Sequence, residues 1–585
     1  MTLRSASGTP SPKRGGRRLG RTLAVGAVAA GLALVAACGS SGGSGGLAKP
    51  SNGTTVTVRS GGTATYAIDQ DVAGFNVNQA TDNEFVLQEI LNQTLPSVYI
   101  TTPALKEVLN TNYVTSAKVT STSPQTVVYN INPKATWSDG TPINADDFVY
   151  MWQADSGNPK FKDVKGAAFQ PASTAGYSQI KSVTGSNNGK TVTVVFSQPF
   201  GDWQSLFSNI LPSHIAKQVG FNNGFQSFGP AVKVSGGPFQ ISSYSKGQSL
   251  IETRNPKWWG TPAKLDKLVF KIFSDDNQIP PAIQNGEVDA SNPAQASLQF
   301  KDAVASSPNV TTNIIGGLEF QHMDFNQSNA YLAKLPVRQA IIAGTNRQEI
   351  VQRVVGPIDP SLKPLDNRIY TPNLPQYQDT AGSAGAFDPA KAKTLLKGAG
   401  FKMGSDGYFQ PTFGPEKGKD LTLSISTTSG EPVRAQIEQL FQADMKAIGV
   451  KINIQNYSPD QLFGTVGPKG QFDIIEFAWV STPFASGNVS IYCSYTNANL
   501  CGQNWDHYAN PQEDKLLNQA ASTLDPTAAA QLYNQADAQL WKDAVTLPLF
   551  QQPQLTTWNN KFGNIFPNPS NNGLTWNAQE WGLKS

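Results

Sequence analysis

The sequence predicts an α/β protein, and three observations carry the prediction. Strand and helix patterns alternate: apolar residues at helical spacing (Val433, Ile437, Leu440, Phe441, Met445, Ile448) lead directly into Val450, Ile452 and Ile454, which alternate as a strand. Asp473 opens an apolar run to Val480 that only Glu476 interrupts, the pattern of a strand covered on both faces. At 585 residues, 39% hydrophobic and 10% aromatic, the chain is too long for one small domain and too apolar to be disordered. Two to four structural units around a large core are expected.

Taken in order, residues from about 47 to 85 alternate as β-structure, first from Thr54 to Arg59 and again from Thr63 to Ile68. Residues 84–95 follow as a helix. Ser123 to Ile131 and Gln179 to Phe196 are β-rich, the second with Asn187-Asn188-Gly189 at its turn. Asp388-Pro389 supplies the N-cap and first position of a helix whose apolar stripe is Ala392, Leu395, Leu396 and Ala399, closed by Gly400. Glu431-Pro432 opens the next, which ends at Gly449.

Charge divides the chain. Its formal net charge is +3, from 45 Lys+Arg and 42 Asp+Glu, but Arg4, Lys13, Arg14, Arg17, Arg18 and Arg21 all precede residue 22. Without those six, 39 basic residues face 42 acidic ones, a net −3. Such a balance gives no support to nucleic-acid binding. The basic stretch leads into the apolar run Leu23–Val35, too short for the ~20 residues of a membrane span and suited to a signal segment. Val35-Ala36-Ala37-Cys38 then resembles a bacterial lipobox, which implies a signal peptide over 1–37 and a lipidated Cys38. Gly39 to Gly46 is a Gly/Ser tether. Arg17-Arg18 leaves Sec versus Tat export open. The expected location is the outer face of the cell membrane, held by lipid, in a Gram-positive and actinobacterial setting. The remaining cysteines, Cys493 and Cys501, form an even pair, most simply a disulfide in an exported protein.

Catalytic and metal signals fail one by one. His214, His322 and His507 are the only histidines and none sits in a metal-binding motif. Gly185 to Thr191 is one residue short of a phosphate loop and leads into a strand, so it is a hairpin turn. Gly42-Gly43-Ser44-Gly45-Gly46 matches a nucleophile-elbow pattern only inside the tether. Asp146-Asp147 precede Phe148-Val149-Tyr150-Met151-Trp152 and are better read as helix N-capping than as paired catalytic acids. No enzyme activity, cofactor or metal is expected.

A set of motifs nevertheless stands in order along the chain. Trp137 to Val149, Gly237-Pro238-Phe239-Gln240 with Arg254 to Trp259, Asn285 to Asp289, Val337 to Ala340 with Asn346-Arg347, Phe387 to Phe401, Tyr508 to Leu516 and Leu547 to Phe550 together resemble the extracytoplasmic solute-binding proteins of family 5, which serve peptide- and nickel-type ABC importers. The resemblance implies a two-lobed, type II-like binding-protein fold, with a hinge and an inserted subdomain. Lobe I would comprise 47–85, 216–315 and 546–585, with the subdomain at 86–215, and lobe II 316–545. It also implies a solute held between closing lobes, delivery to an ABC permease in the membrane, and a monomer.

Relatives that bind peptides usually carry an Asp just after the residue matching Trp479, where it holds the α-ammonium. Here Val480, Ser481, Thr482, Pro483 and Phe484 follow, with no acid. Glu476 is the alternative carboxylate: inside an apolar strand it needs an internal cationic partner or a place facing the ligand. Ligand contacts are expected from Trp479, Glu476, Val480, Ser481 and Thr482, from Asn292, from Phe320 and His322, and from Thr81, Asp82 and Asn83. Two functions remain open: capture of oligopeptides or a related solute for import, and a non-transport regulatory lipoprotein of the envelope using the same fold.

Overall fold

A computed structural model describes residues 53–496 and 501–585. The signal-like segment, Cys38 and the Gly/Ser stretch lie outside the described residues.

One ten-stranded sheet organises the molecule. Its strands, in chain order, are β1 (Thr63–Ile68), β2 (Phe239–Ser245), β3 (Ser249–Arg254), β4 (Lys267–Ile272), β5 (Ala290–Ser291), β6 (Val310–Phe325), β7 (Thr422–Ser426), β8 (Lys451–Ile454), β9 (Ile474–Val480) and β10 (Thr546–Asn559). Their spatial order is β8-β7-β9-β6-β10-β5-β1-β4-β3-β2. β1 runs parallel to β4 and β5, and β7 parallel to β8 and β9, while β6 and β10 pair antiparallel at the centre. Helices cross between the parallel strands, as Pro432–Ile448 does between β7 and β8. That helix buries Ile437, Phe441, Met445 and Ile448 and ends at left-handed Gly449 (φ 85°), where a side chain would be strained.

Each half of the sheet has its own core. The half containing β1 to β4 packs with a four-stranded antiparallel sheet (Val114–Thr122, Gln125–Ile131, Thr191–Phe196, Ile180–Ser186) and with Trp137, Phe148, Phe207 and Trp581. The half containing β7 to β9 packs Met323, Phe325, Ile341, Phe441, Ile474 and Phe550. A further cluster gathers Leu517, Tyr533 and Leu540 around the Cys493–Cys501 disulfide, whose Cα atoms are 5.6 Å apart.

Local sequence chemistry explains the joints. Asn187, Asn188 and Gly189 all take positive φ and turn one hairpin. Helix Ala145–Asp155 begins in a capping box: the Asn144 side chain accepts from the Asp146 amide, and Asp147 Oδ2 accepts from the Asn144 amide at 3.0 Å. Asn255 Nδ2 donates to the Gly237 carbonyl at 2.8 Å, joining two of the motifs.

β6 and β10 run from one core to the other, and their pairing breaks midway. Gly316 faces Pro553 and Phe320 faces Gln551, so three residues of β6 (Gly317, Leu318, Glu319) oppose Gln552 alone. The Gln551 carboxamide fills the bulge, donating to the Gly317 carbonyl at 2.6 Å. A Cβ on Gly316 would stand 2.7 Å from Gln551 Nε2. A bulge in two otherwise long strands concentrates bending at one point.

Candidate functional site

β9 differs from a strand covered throughout on both faces. Ile474 to Phe477 are buried, but Ala478 and Trp479 are half-buried and Val480 is 50% exposed. The strand therefore emerges from the core at its C-terminal end, and it emerges into a cavity of about 820 Å³. That volume falls within the ~300–1,000 Å³ usual for ligand sites.

Two walls enclose it. One is built from the end of β9, the loop Ser481–Phe484, the following turn to Ile491, and Phe320 of β6. The other comes from the loop at 77–83, the hairpin Tyr99–Thr101/Glu107–Leu109, Asp155 at the end of helix Ala145–Asp155, the segments around Tyr177 and Asn209, and Asn571 to Trp576. Amides and hydroxyls dominate the lining, with aromatic faces from Tyr99, Tyr177, Trp479, Phe484 and Trp576. Among the described residues lining it there is no Lys, Arg or His, and the carboxyl side chains are Glu107 and Asp155.

Of the residues expected at the site, Trp479, Val480, Ser481, Thr482, Phe320 and Asn83 line this cavity. The Trp479 indole packs near-parallel to His322 (5.8 Å, 19°) and against Phe477 (4.9 Å) and Trp505 (5.9 Å). This aromatic backing fixes the ring's direction while its Nε1 keeps no hydrogen-bond partner. Asn83 Nδ2 donates to the Val77 carbonyl at 2.9 Å, holding the loop that forms the opposite rim.

The others are placed elsewhere. Glu476, expected to contact ligand, is fully buried and is not among the residues that line this cavity. Its Oε2 accepts from Thr427 Oγ1 at 3.0 Å, and Gln321, with its amide turned to donate, reaches Oε1 at 2.8 Å. Burial pushes the Glu476 carboxyl up to about 7, against the opposing pull of Arg434. The physical reason is depth along the strand: Glu476 lies in the buried stretch Ile474–Phe477, before β9 emerges from the core. His322 is also fully buried, behind Trp479 rather than beside the ligand space. Its Nε2 lies 3.0 Å from Asp324 Oδ1 without hydrogen-bond geometry. Asp82 is buried as a structural acceptor for Gln226 Nε2 (2.7 and 2.8 Å) and Thr81 Oγ1 (2.8 Å), and Thr81 is occupied by Asp82 and Gln79. Asn292 lines a separate cavity of about 20 Å³ at the β6–β10 bulge and donates to Glu89 Oε1 at 3.1 Å.

Apart from Asn83, sequence reasoning missed the far wall. Asp155 gave one signal: an acid closing a helix is opposed to the helix dipole and therefore asks for a reason. Glu107, in a three-residue strand, gave none. The Thr101 hydroxyl donates to its Oε1 at 2.6 Å, and burial still pushes its carboxyl up to about 7.

No group of three or more His, Cys, Asp or Glu among the described residues is arranged to hold a metal ion, and no helix among them is long and apolar enough to cross a membrane.

Comparison with known proteins adds four findings. The family model of bacterial extracellular solute-binding proteins, family 5 (middle part), matches residues 109–500. The oligopeptide-binding protein OppA of Mycobacterium tuberculosis (strain ATCC 25618 / H37Rv) is 30% identical over 504 residues, covering 85% of this chain and 81% of that protein. An uncharacterized lipoprotein of the same organism is 25% identical over 581 residues, covering 91% and 95%. Among solved structures, a periplasmic EDTA-binding protein, EppA, superposes with a TM-score of 0.83 at 27% identity, covering 91% of this chain and 98% of that one.

Proposed function

The chain belongs to the bacterial extracellular solute-binding proteins of family 5, and on that footing we propose that it is the solute-capturing component of an ABC importer. It is tethered through a lipid on Cys38 to the outer face of the membrane. It takes up an oligopeptide or related solute in the 820 Å³ cavity and presents the loaded form to a membrane permease. It works as a monomer and catalyses no reaction.

The observation that carries this reading is the position of the cavity. It lies between walls that pack in separate apolar clusters, one wall holding Leu95 and Leu206 and the other Trp479 and Ile491, and β6 and β10 cross between the two halves of the sheet with a bulge. We take 47–315 with 546–585 as one lobe, including the 86–215 subdomain, and 316–545 as the other. A ligand that touches both walls stabilises the closed arrangement by contacts the open one lacks. OppA, by its name, binds oligopeptides, and the lipoprotein relative favours the anchor.

The test is mass spectrometry of solute released by denaturing the protein purified from its own membrane, paired with thermal stabilisation by that solute. A bound solute is expected. A cavity empty under several growth conditions, with no stabilising solute, overturns the reading. Cys38→Ala tests the anchor separately: the variant is expected in the soluble fraction.

A further inference from the structure

The wall formed by β9 and its loop offers the ligand no charge. Val480 to Phe484 contain no ionisable group, and Glu476 turns away to Thr427 and Gln321. Across the cavity, Glu107 already accepts the Thr101 hydroxyl.

Asp155 is different. It is 3% exposed, it lines the cavity, and its Oδ1 has no hydrogen-bond partner. Two phenols stand in its electrostatic surroundings. Tyr177 Oη accepts from the Phe207 amide at 2.7 Å, and Tyr150 Oη has no partner. As the last residue of helix Ala145–Asp155 it also meets the negative end of the helix dipole. A carboxylate without partner at such a point is costly to the fold, and an apolar residue would be cheaper there. Burial alone pushes the Asp155 carboxyl well above the usual carboxylate range. A cation arriving from the cavity reverses that penalty by giving the charge a partner.

We propose that Asp155 is the anchor for a primary ammonium group of the solute, on the wall opposite Trp479. The proposal rests on the solute-capture reading and narrows it. The solute carries a free amine, and among the described residues lining the cavity no cationic side chain waits for an anionic group.

The test uses two matched pairs of probes on the full chain, followed by thermal shift and calorimetry. One pair is a pool of tri- to pentapeptides with free N-termini and the same pool N-acetylated. The other is glucosamine oligomers and their N-acetylated counterparts. At least one amine probe is expected to bind, its acetylated partner about tenfold or more weakly, and Asp155→Asn to erase the difference. The pair that responds tells a peptide terminus from an amino sugar. The comparison on the unmodified chain stands whether or not the variant folds. Equal binding of amine and acetylated probes, or an amine preference surviving in Asp155→Asn, overturns the proposal and leaves solute capture intact. Failure of all four probes also overturns it. Solute capture falls with it only where the natively purified protein is empty as well.

Discussion

Asp202 and Ser486 join the two sides of the cavity: Asp202 Oδ2, two residues before cavity-lining Gln204, accepts the amide of cavity-lining Ser486 at 2.8 Å. Beside them, the Gly201 amide donates to the Ala521 carbonyl at 2.8 Å. Both bonds link the segment 86–215 to 316–545, so the structure shows the two walls drawn together. Burial pushes the Asp202 carboxyl up, and the bond from Ser486 pulls it back.

Asp202→Ala removes that tie. A single hydrogen bond contributes about 1 kcal/mol net, so the closed-to-open ratio should fall about fivefold and solute affinity by up to a similar factor. Small-angle scattering of the unliganded variant should report a larger radius of gyration. Scattering and affinity both matching the unmodified protein would show that the bond does not hold the walls together.

Trp479 and Glu476, three residues apart on one strand, should behave oppositely. Trp479→Ala removes an aromatic wall of the cavity and should weaken solute binding by about tenfold or more. Glu476→Gln keeps the acceptor for Thr427 behind the sheet and should leave affinity unchanged. Calorimetry with the natively bound solute checks both, and a large loss in Glu476→Gln would restore Glu476 as a ligand contact.

Glu89 makes stability depend on pH. Its Oε1 accepts Tyr66 Oη at 2.7 Å, Asn292 Nδ2 at 3.1 Å and the Leu574 amide at 3.1 Å, yet burial pushes the carboxyl up to about 8. The folded state therefore keeps a proton that the unfolded chain releases, from its ordinary value near 4.5 upward. Stability from this group is present below pH 4.5 and declines as pH rises to about 8. Glu89→Gln should flatten that decline, gaining Tm at pH 8 and nothing at pH 4. Parallel Tm–pH curves for the two proteins would refute the account.

The Cys493–Cys501 bond closes a short loop next to Ser490, Gly502 and Gln503, all of which line the cavity. Replacing both cysteines with Ser should cost about 2–3 kcal/mol through loop entropy. It should also loosen that rim and weaken solute binding. Titration with a reductant should reproduce both effects in the unmodified protein, and an indifferent Tm would argue against them.

The α/β class, the helix ends at Asp388 and Gly449 and the Asn187–Gly189 turn were all legible, because each depends on residues within a few positions of one another. The ordered motifs were legible for the same reason: Gly237 and Asn255 carry local backbone geometry wherever the sheet places them. The site was legible at Trp479 and the residues after it, at Phe320 on the neighbouring strand, and at Asn83. The rest of its far wall was not, since Glu107, Asp155 and Asn571 come from segments that meet only in the folded chain.

The sequence by itself determined that this protein is built from alternating strands and helices, carries its positive charge ahead of residue 22, and has no acid after Trp479. Tertiary structure alone decided which carboxyls line the cavity. Glu476 and Asp155 both follow apolar residues and look alike as text. The neighbours Thr427 and Gln321, 49 and 155 positions from Glu476, enclose one of them. The end of a helix leaves the other facing the cavity. Burial and direction are set by contacts between distant segments, and those exist only once the two cores have closed on the sheet they share.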